Sequence, residues 1–188
     1  TEVSLHVGDG TFKPVQANAV GGHTMHREFF TVSRSLVERL RDQLEAGKPI
    51  VSVGTTSLRC LESLFYLGAS FTVGKTAVVD GAVEVGQWVA EDPLLNSVNP
   101  LKAVTGLIDL MHTNRLTELS GYTQLLLTPF AKLKLADGLI TNFHQPRSTL
   151  LLLVAAIVGD DWRRIYDYAL ENDFRFLSYG DSSLLWRG

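Results

Sequence analysis

The chain of 188 residues has a composition that suits one α/β domain and excludes several other classes of protein. Hydrophobic residues make up 45% and charged residues 20%, so a core can form. The net charge of −3 argues against a broad basic surface for nucleic acid. A single cysteine, Cys60, excludes an internal disulfide and fits a reducing compartment. The longest apolar run, 150–158, is too short to span a bilayer, and no signal peptide is expected because the chain opens on a strand pattern.

Hydrophobic periodicity, caps and turn residues predict an alternation of strands and helices. Strands are predicted at 2–7, 29–32, 50–53, 76–79, 82–89, 122–128, 139–141 and 175–179, and helices at 33–46, 58–67, 99–112, 148–159 and 161–171. The first helix is expected to begin with a capping box of Ser35 and Glu38, and the Asp80-Gly81 pair predicts a hairpin. This alternation predicts an α/β fold with a mainly parallel sheet and flanking helices, which could be part of a barrel.

The stretch 137–159 is the strongest candidate for a site. A buried strand ends in a polar elbow that carries Asn142, His144 and Arg147, and a helix capped by Ser148 follows. Loops beyond the carboxyl ends of strands face the crevice of an α/β protein, and a helix N-terminus carries partial positive charge. The alternative is an ordinary exposed turn between a strand and a helix.

A second unit of the same kind lies at 50–67. Its loop, Gly54 to Ser57, offers backbone N–H groups and hydroxyls that could hold a carboxylate or a phosphate. Arg59 and Glu62 are three residues apart on the following helix, which predicts an ion pair, in the simplest case at the surface. A third candidate loop contains Gly8 and Gly10, which could approach a ligand or form a tight turn.

Several side chains could transfer protons, since histidine titrates near neutral pH. They are His6, His23, His26, Glu28, His144 and Asp181. His23, His26 and Glu28 lack the spacing of known metal motifs, so no metal is expected. The residues alone therefore predict an α/β enzyme that binds a small polar or anionic ligand at three loops.

Five stretches, in family order across nearly the whole chain, resemble the S-adenosylmethionine:tRNA ribosyltransferase-isomerase family of queuosine biosynthesis. They are Leu5 to Phe12 with Pro14-Val15, Met25 to Glu28, Val53 to Arg59 with Leu61 to Ser63, Asp137 to Leu151, and Arg175-Phe176 with Ser178 to Asp181. The resemblance implies that residues 1–188 form the C-terminal portion of a distorted α/β barrel. The family's N-terminal part and an inserted small β-barrel domain are absent from the chain, and 71–120 looks like an insertion.

The family resemblance implies a specific reaction. S-adenosylmethionine donates its ribosyl group to 7-aminomethyl-7-deazaguanine at the wobble position of a tRNA with a GUN anticodon, which gives epoxyqueuosine and releases adenine and methionine. The reaction needs a base beside the sulfonium and an acid for the departing adenine. The cosubstrate is S-adenosylmethionine, no membrane is involved, and a cytoplasmic, monomeric protein is favoured.

The same resemblance suggests roles for residues of this sequence. His26 or His144 would move protons, with Glu28 and Asp181 as partners or alternatives. Thr55, Thr56 and Asn142 would bind S-adenosylmethionine, while Arg59 and Arg147 could touch tRNA phosphate. The remaining expected substrate-binding residues are His6, Gly8, Gly10 and Tyr179. Two rival functions stay open: another S-adenosylmethionine-using transferase, such as a methyltransferase, and a non-catalytic RNA- or partner-binding domain.

Overall fold

A computed structural model describes residues 4–6, 24–75, 78–79, 82–146 and 148–188. The strands are β1 (Ser4–His6), β2 (Glu28–Ser33), β3 (Val51–Val53), β4 (Val78–Val79), β5 (Ala82–Val85), β6 (Glu118–Thr123), β7 (Gly138–Asn142) and β8 (Ser182–Trp186). The helices are α1 (Arg34–Glu45), α2 (Thr55–Thr72), α3 (Pro93–Asn96), α4 (Pro100–Thr113), α5 (Thr149–Val158) and α6 (Asp161–Glu171). The α/β class is therefore confirmed.

The described strands form two mixed sheets, so the prediction of a mainly parallel sheet is wrong. One sheet has the order β1-β2-β6-β5-β4 and the other β3-β7-β8. Only β3–β7 and β5–β6 pair in parallel, whereas β1–β2, β2–β6, β4–β5 and β7–β8 are antiparallel. Strand–helix alternation misled the prediction because α1 carries the chain from one sheet to the other. As a result β2 and β3, which follow one another in sequence, belong to different sheets and do not form the parallel pair that the alternation suggests.

The core of the larger sheet is built around α2 and α4. Most of α2 is buried, including Leu58, Leu64 and Phe65. A Cβ at Gly68 would overlap the backbone carbonyl of Ala103 on α4, so the two helices approach more closely there than a larger residue allows. Helix α4 lies within 71–120, so that segment contributes directly to the core. Its origin as an insertion stays a prediction.

Local signals located several helix ends correctly. Asn99 caps α4 with Pro100 at the first helical position, Ser148 caps α5, and Gly159 ends it. The predicted hairpin is confirmed by the antiparallel pairing of β4 and β5, although its turn residues, 80–81, lie outside the described residues.

Other boundaries need correction. Ser33, rather than Ser35, caps α1 by accepting a hydrogen bond from Leu36 N–H, and Glu38 lies 3.6 Å from Arg34 instead of completing a capping box. Helix α2 begins at Thr55 and ends at Thr72, so it is longer than predicted at both ends. Strand β6 covers 118–123 rather than 122–128.

The final strand was also misplaced. Residues 175–179 form a turn, and the strand lies at 182–186 instead. The turn is held by the Asp181 carboxylate, which accepts from the backbone N–H of Arg175 at 2.7 Å, and Leu177 has a φ of 69°. A residue with this φ cannot continue a strand. The alternating hydrophobic pattern of 175–179 does not show that Asp181 binds Arg175, so the turn was not predicted.

One face of the smaller sheet is apolar and exposed. The register places Val53, Ile140 and Leu184 side by side, and Trp186 lies two residues farther along the same face of β8. All four side chains are exposed, whereas the opposite face carries the buried Leu139 and Leu185. Among the described helices, none is long and apolar enough to cross a membrane.

Candidate functional site

A cavity of about 630 Å³ lies where the two strand–loop–helix units meet. Strands β3 and β7 are parallel neighbours, so their carboxyl ends reach the same edge of the sheet. The lining comes from both strand ends, both helix starts and the turn before β8. It comprises Val53, Gly54, Thr55, Thr56, Ser57, Ile140, Thr141, Asn142, His144, Gln145, Ser148, Leu150, Leu177, Ser178 and Ser182. The predicted Thr55, Thr56, Asn142 and His144 are therefore brought together.

The start of α2 faces this cavity with backbone N–H groups that no side chain caps. Gly54 has a φ of 89° and no side chain caps the helix. Its own N–H donates to the carbonyl of Ile140 at 2.8 Å, which ties the helix start to β7. The first N–H groups of an α-helix lack partners within the helix and favour an anion. Thr55 and Thr56 add hydroxyl groups at the same place.

The start of α5 is capped by the side chain of Ser148. The Ser148 hydroxyl oxygen accepts from Leu151 N–H at 3.2 Å, and its O–H donates to the Gln145 carbonyl at 2.8 Å. These bonds fix the elbow relative to the helix. The first turn of α5 is thus partly satisfied within the chain.

His144 is held as a neutral imidazole at the wall of the cavity. Its Nε2 is hydrogen-bonded to the Thr141 hydroxyl at 2.9 Å, and its backbone N–H donates to the Tyr166 hydroxyl at 3.0 Å. Burial lowers the pKa of His144 to about 4, because the charged form loses its hydration. The side chain is therefore uncharged at neutral pH.

A second cluster joins β2 to α2. Glu28 Oε1 lies 2.8 Å from His26 Nε2, and Glu28 Oε2 lies 3.3 Å from Arg59 Nη1. Glu28 is 1% and Arg59 2% exposed, while His26 is partly accessible. Burial lowers the pKa of Arg59, and the Glu28 carboxylate opposes that shift. None of these three side chains lines the cavity, and Arg59 lies one helical turn beyond Thr55, which does.

This geometry corrects two expectations for Arg59. It does not pair with Glu62 at the surface, and a side chain buried against Glu28 does not present its charge to tRNA phosphate. Burial is the reason, because a guanidinium inside the protein must find a buried carboxylate rather than water.

Glu62 has a structural role that the sequence did not reveal. Its carboxylate accepts backbone N–H groups from Lys134 at 2.7 Å, Leu135 at 3.0 Å and Ala136 at 2.9 Å. Burial raises the pKa of Glu62, and these three hydrogen bonds counteract the rise. The fully buried carboxylate thereby fixes the segment that leads into β7. Only its place in the Leu61-Glu62-Ser63 motif hinted at it.

The turn before β8 lies beside the cavity. Asn142 Nδ2 lies 3.4 Å from the carbonyl of Gly180, which links the elbow to that turn. Asp181 does not line the cavity; it binds Arg175, whose hydrogen bonds lower the pKa of Asp181. Tyr179 is exposed at the tip.

Some predicted residues cannot be placed in this site. His6 belongs to β1, opposite Phe29, while Gly8, Gly10, His23 and Arg147 lie outside the described residues. Within the described part of the chain, no group of three or more His, Cys, Asp or Glu side chains could hold a metal ion.

Comparison with known proteins identifies the family. The profile of a family described as queuosine biosynthesis protein matches residues 1–185. S-adenosylmethionine:tRNA ribosyltransferase-isomerases are 39% identical in Phenylobacterium zucineum and 36% in Cupriavidus pinatubonensis, each over 98% of this chain and 40% of the relative. The crystal structure of the S-adenosylmethionine tRNA ribosyltransferase from Thermotoga maritima is 31% identical, with a TM-score of 0.57 over 98% of this chain and 44% of that one. The chain thus spans about two fifths of the length of these relatives and belongs to the queuosine biosynthesis protein family.

Proposed function

We propose that the protein containing this chain transfers and isomerises the ribosyl group of S-adenosylmethionine. The acceptor is 7-aminomethyl-7-deazaguanine at the wobble position of tRNA, and the products are epoxyqueuosine, adenine and methionine. Family membership supports the reaction class. A cytoplasmic location follows from a tRNA substrate.

The uncapped start of α2 inside the cavity is the observation that carries this proposal. S-adenosylmethionine has a carboxylate, which suits the first-turn N–H groups and the hydroxyls of Thr55 and Thr56. A cavity of about 630 Å³ is in the range of small-molecule sites. Asn142 would orient the ligand from the β7 side.

The two histidines suit different parts of the chemistry. Glu28 accepts a hydrogen bond from His26 Nε2, an arrangement that orients an imidazole and stabilises it when the other nitrogen takes a proton. His26 is therefore our candidate base. His144 stays neutral and would donate a hydrogen bond to the departing adenine without carrying a full charge.

We further propose that the chain is the C-terminal portion of a larger catalytic domain. The exposed apolar face that carries Val53, Ile140, Leu184 and Trp186 also borders the cavity, because Val53 and Ile140 belong to both. The remaining three fifths of the relatives' length provides chain to cover it. A cover on this face would complete the cavity wall and place S-adenosylmethionine between the two parts.

Incubation of the full-length protein with S-adenosylmethionine and tRNA bearing 7-aminomethyl-7-deazaguanine tests the function. Mass spectrometry of digested tRNA is expected to show epoxyqueuosine, together with free adenine. The variants His26→Ala and His144→Ala should each lower turnover by about 100-fold or more. Near-native turnover of either variant would remove that histidine from the mechanism. Binding of S-adenosylmethionine without either product would contradict the proposed reaction.

A further inference from the structure

The turn between α6 and β8 presents a tyrosine ring to solvent at the rim of the cavity. Tyr179 is 97% exposed. The two residues before it, Leu177 and Ser178, line the cavity, and Ser182 lines it on the other side of the turn. The ring therefore stands beside the opening but does not itself line the cavity.

The turn that carries this ring is fixed by backbone hydrogen bonds. Leu177 N–H donates to the carbonyl of Phe143 at 2.9 Å, and Gly180 N–H donates to the carbonyl of Leu177 at 2.9 Å. Asp181 N–H donates to the carbonyl of Arg175 at 2.8 Å. The first bond attaches the turn to the elbow that holds His144. The backbone that carries Tyr179 is thus held by the same framework as the cavity.

The backbone of this turn is strained. Leu177 has a φ of 69°, a conformation that residues with a Cβ rarely adopt. A Cβ at Gly180 would overlap the carbonyl of Arg175, so the turn closes tightly around a glycine. Strain of this kind persists where the surrounding structure enforces it, and it occurs preferentially at binding sites. Here the enforced conformation directs an aromatic residue outward.

An exposed aromatic ring on an ordered turn suits a flat, unstacked ligand. Nucleobases that are splayed out of single-stranded RNA loops bind proteins by stacking on such rings. Such stacking requires no base-specific hydrogen bond, because every base has a flat aromatic face. Because the turn is already ordered, little conformational entropy is lost on binding. The adenine of S-adenosylmethionine has the same stacking chemistry, but the α2 start that would hold its carboxylate lies inside the cavity.

We propose that Tyr179 is a stacking platform for a tRNA base next to the one that enters the cavity. This inference rests on the proposed function and names the part of the chain that holds the anticodon loop. Arg175 is exposed on the same turn, but its Nη2 lies 3.3 Å from Asp181 Oδ1, so its charge is balanced within the turn. The ring, rather than a cation, is therefore expected to supply the binding energy.

Steady-state kinetics of the full-length protein with Tyr179→Ala and Tyr179→Phe provide the test. Alanine should raise the KM for tRNA about tenfold and leave the KM for S-adenosylmethionine within twofold, while phenylalanine should retain wild-type values because it keeps the ring. Phe130→Ala is the matched control, since Phe130 is 95% exposed and does not line the cavity. It should not change the KM for tRNA. An unchanged KM for tRNA in Tyr179→Ala, or a rise confined to S-adenosylmethionine, would overturn the proposal.

A binding measurement separates this inference from the proposed reaction. An anticodon stem-loop with 2-aminopurine beside the wobble position should lose fluorescence on binding to wild-type protein and to Tyr179→Phe, but much less on binding to Tyr179→Ala. This readout needs no turnover. A protein that quenches the probe but makes no epoxyqueuosine would refute the reaction and support the stacking. Equal quenching by Tyr179→Ala would refute the stacking even if the reaction occurs.

Discussion

The two strand–loop–helix units have the same plan but differ at the helix start. In the β3–α2 unit the helix begins after a glycine with positive φ and has no side-chain cap. In the β7–α5 unit Ser148 caps the helix and also binds Gln145. Both starts line one cavity. One helix start therefore has no side-chain cap, while the other is capped by Ser148, which is bonded to the elbow that carries His144.

The largest expected effect concerns the ion pair behind the uncapped start. Arg59→Met removes the buried guanidinium that faces Glu28 and leaves its hydrogen bond with His26 in place, and the free energy of unfolding should fall by about 3–5 kcal/mol. Urea denaturation of the full-length protein measures this change. Arg164→Met is the matched control, because its pair with Asp161 is exposed and should contribute less than about 1 kcal/mol. Equal losses in the two variants would show that the buried pair does not stabilise α2 as inferred.

The next effect concerns His144 at the capped unit. Its pKa of about 4 in the folded protein lies below its ordinary value of 6.5, so the unfolded chain binds the proton more readily. The resulting stability is fully present above pH 6.5 and is lost as the pH falls toward 4, by up to about 3 kcal/mol. Denaturation of wild type and His144→Gln across this range isolates the contribution. Parallel pH profiles for the two proteins would contradict a buried, neutral histidine.

The smallest effect tests whether the uncapped start binds the cosubstrate. Gly54→Ala places a Cβ on a backbone with a φ of 89° and a ψ of 146°, so it should cost about 1–3 kcal/mol of stability while raising the KM for S-adenosylmethionine. Gly159→Ala introduces the same kind of strain at a φ of 60°, at the far end of α5. It should lose similar stability with an unchanged KM. If both variants changed the KM equally, the effect would be one of general destabilisation.

The sequence predicted those features that depend on neighbouring residues. Ser148, Pro100 and Gly159 act on the adjacent turn of a helix, so their roles follow from residue type alone. The two loops that form the cavity were also predicted, because strand ends and helix starts are local. Sharing of one cavity by both loops depends on the parallel pairing of β3 with β7.

The failures concern partners that are distant in sequence. Arg59 and Glu62 were expected to pair because they are three residues apart. Each is buried and binds a distant partner instead, Arg59 to Glu28 and Glu62 to the backbone of 134–136. Helical spacing predicts which side chains are neighbours on an exposed face of a helix. A buried charged side chain must instead pair with a group on another element of the fold. The two mixed sheets were not predicted for the same reason, because the direction of a strand relative to its neighbours depends on which sheet it joins.

The hydrogen bond from Ile50 N–H to the Asp137 carboxylate, at 2.9 Å, bears on the order in which the protein folds. It joins residues 87 positions apart, just where β3 and β7 begin. Closing so long a loop lowers the conformational entropy of the chain before the contact can stabilise the fold. Non-local pairing of this kind therefore slows folding. Helices α2 and α4, whose contacts are closer in sequence, are therefore expected to form before the cavity does. During refolding, helical signal should recover first and ligand binding should follow in a slower phase.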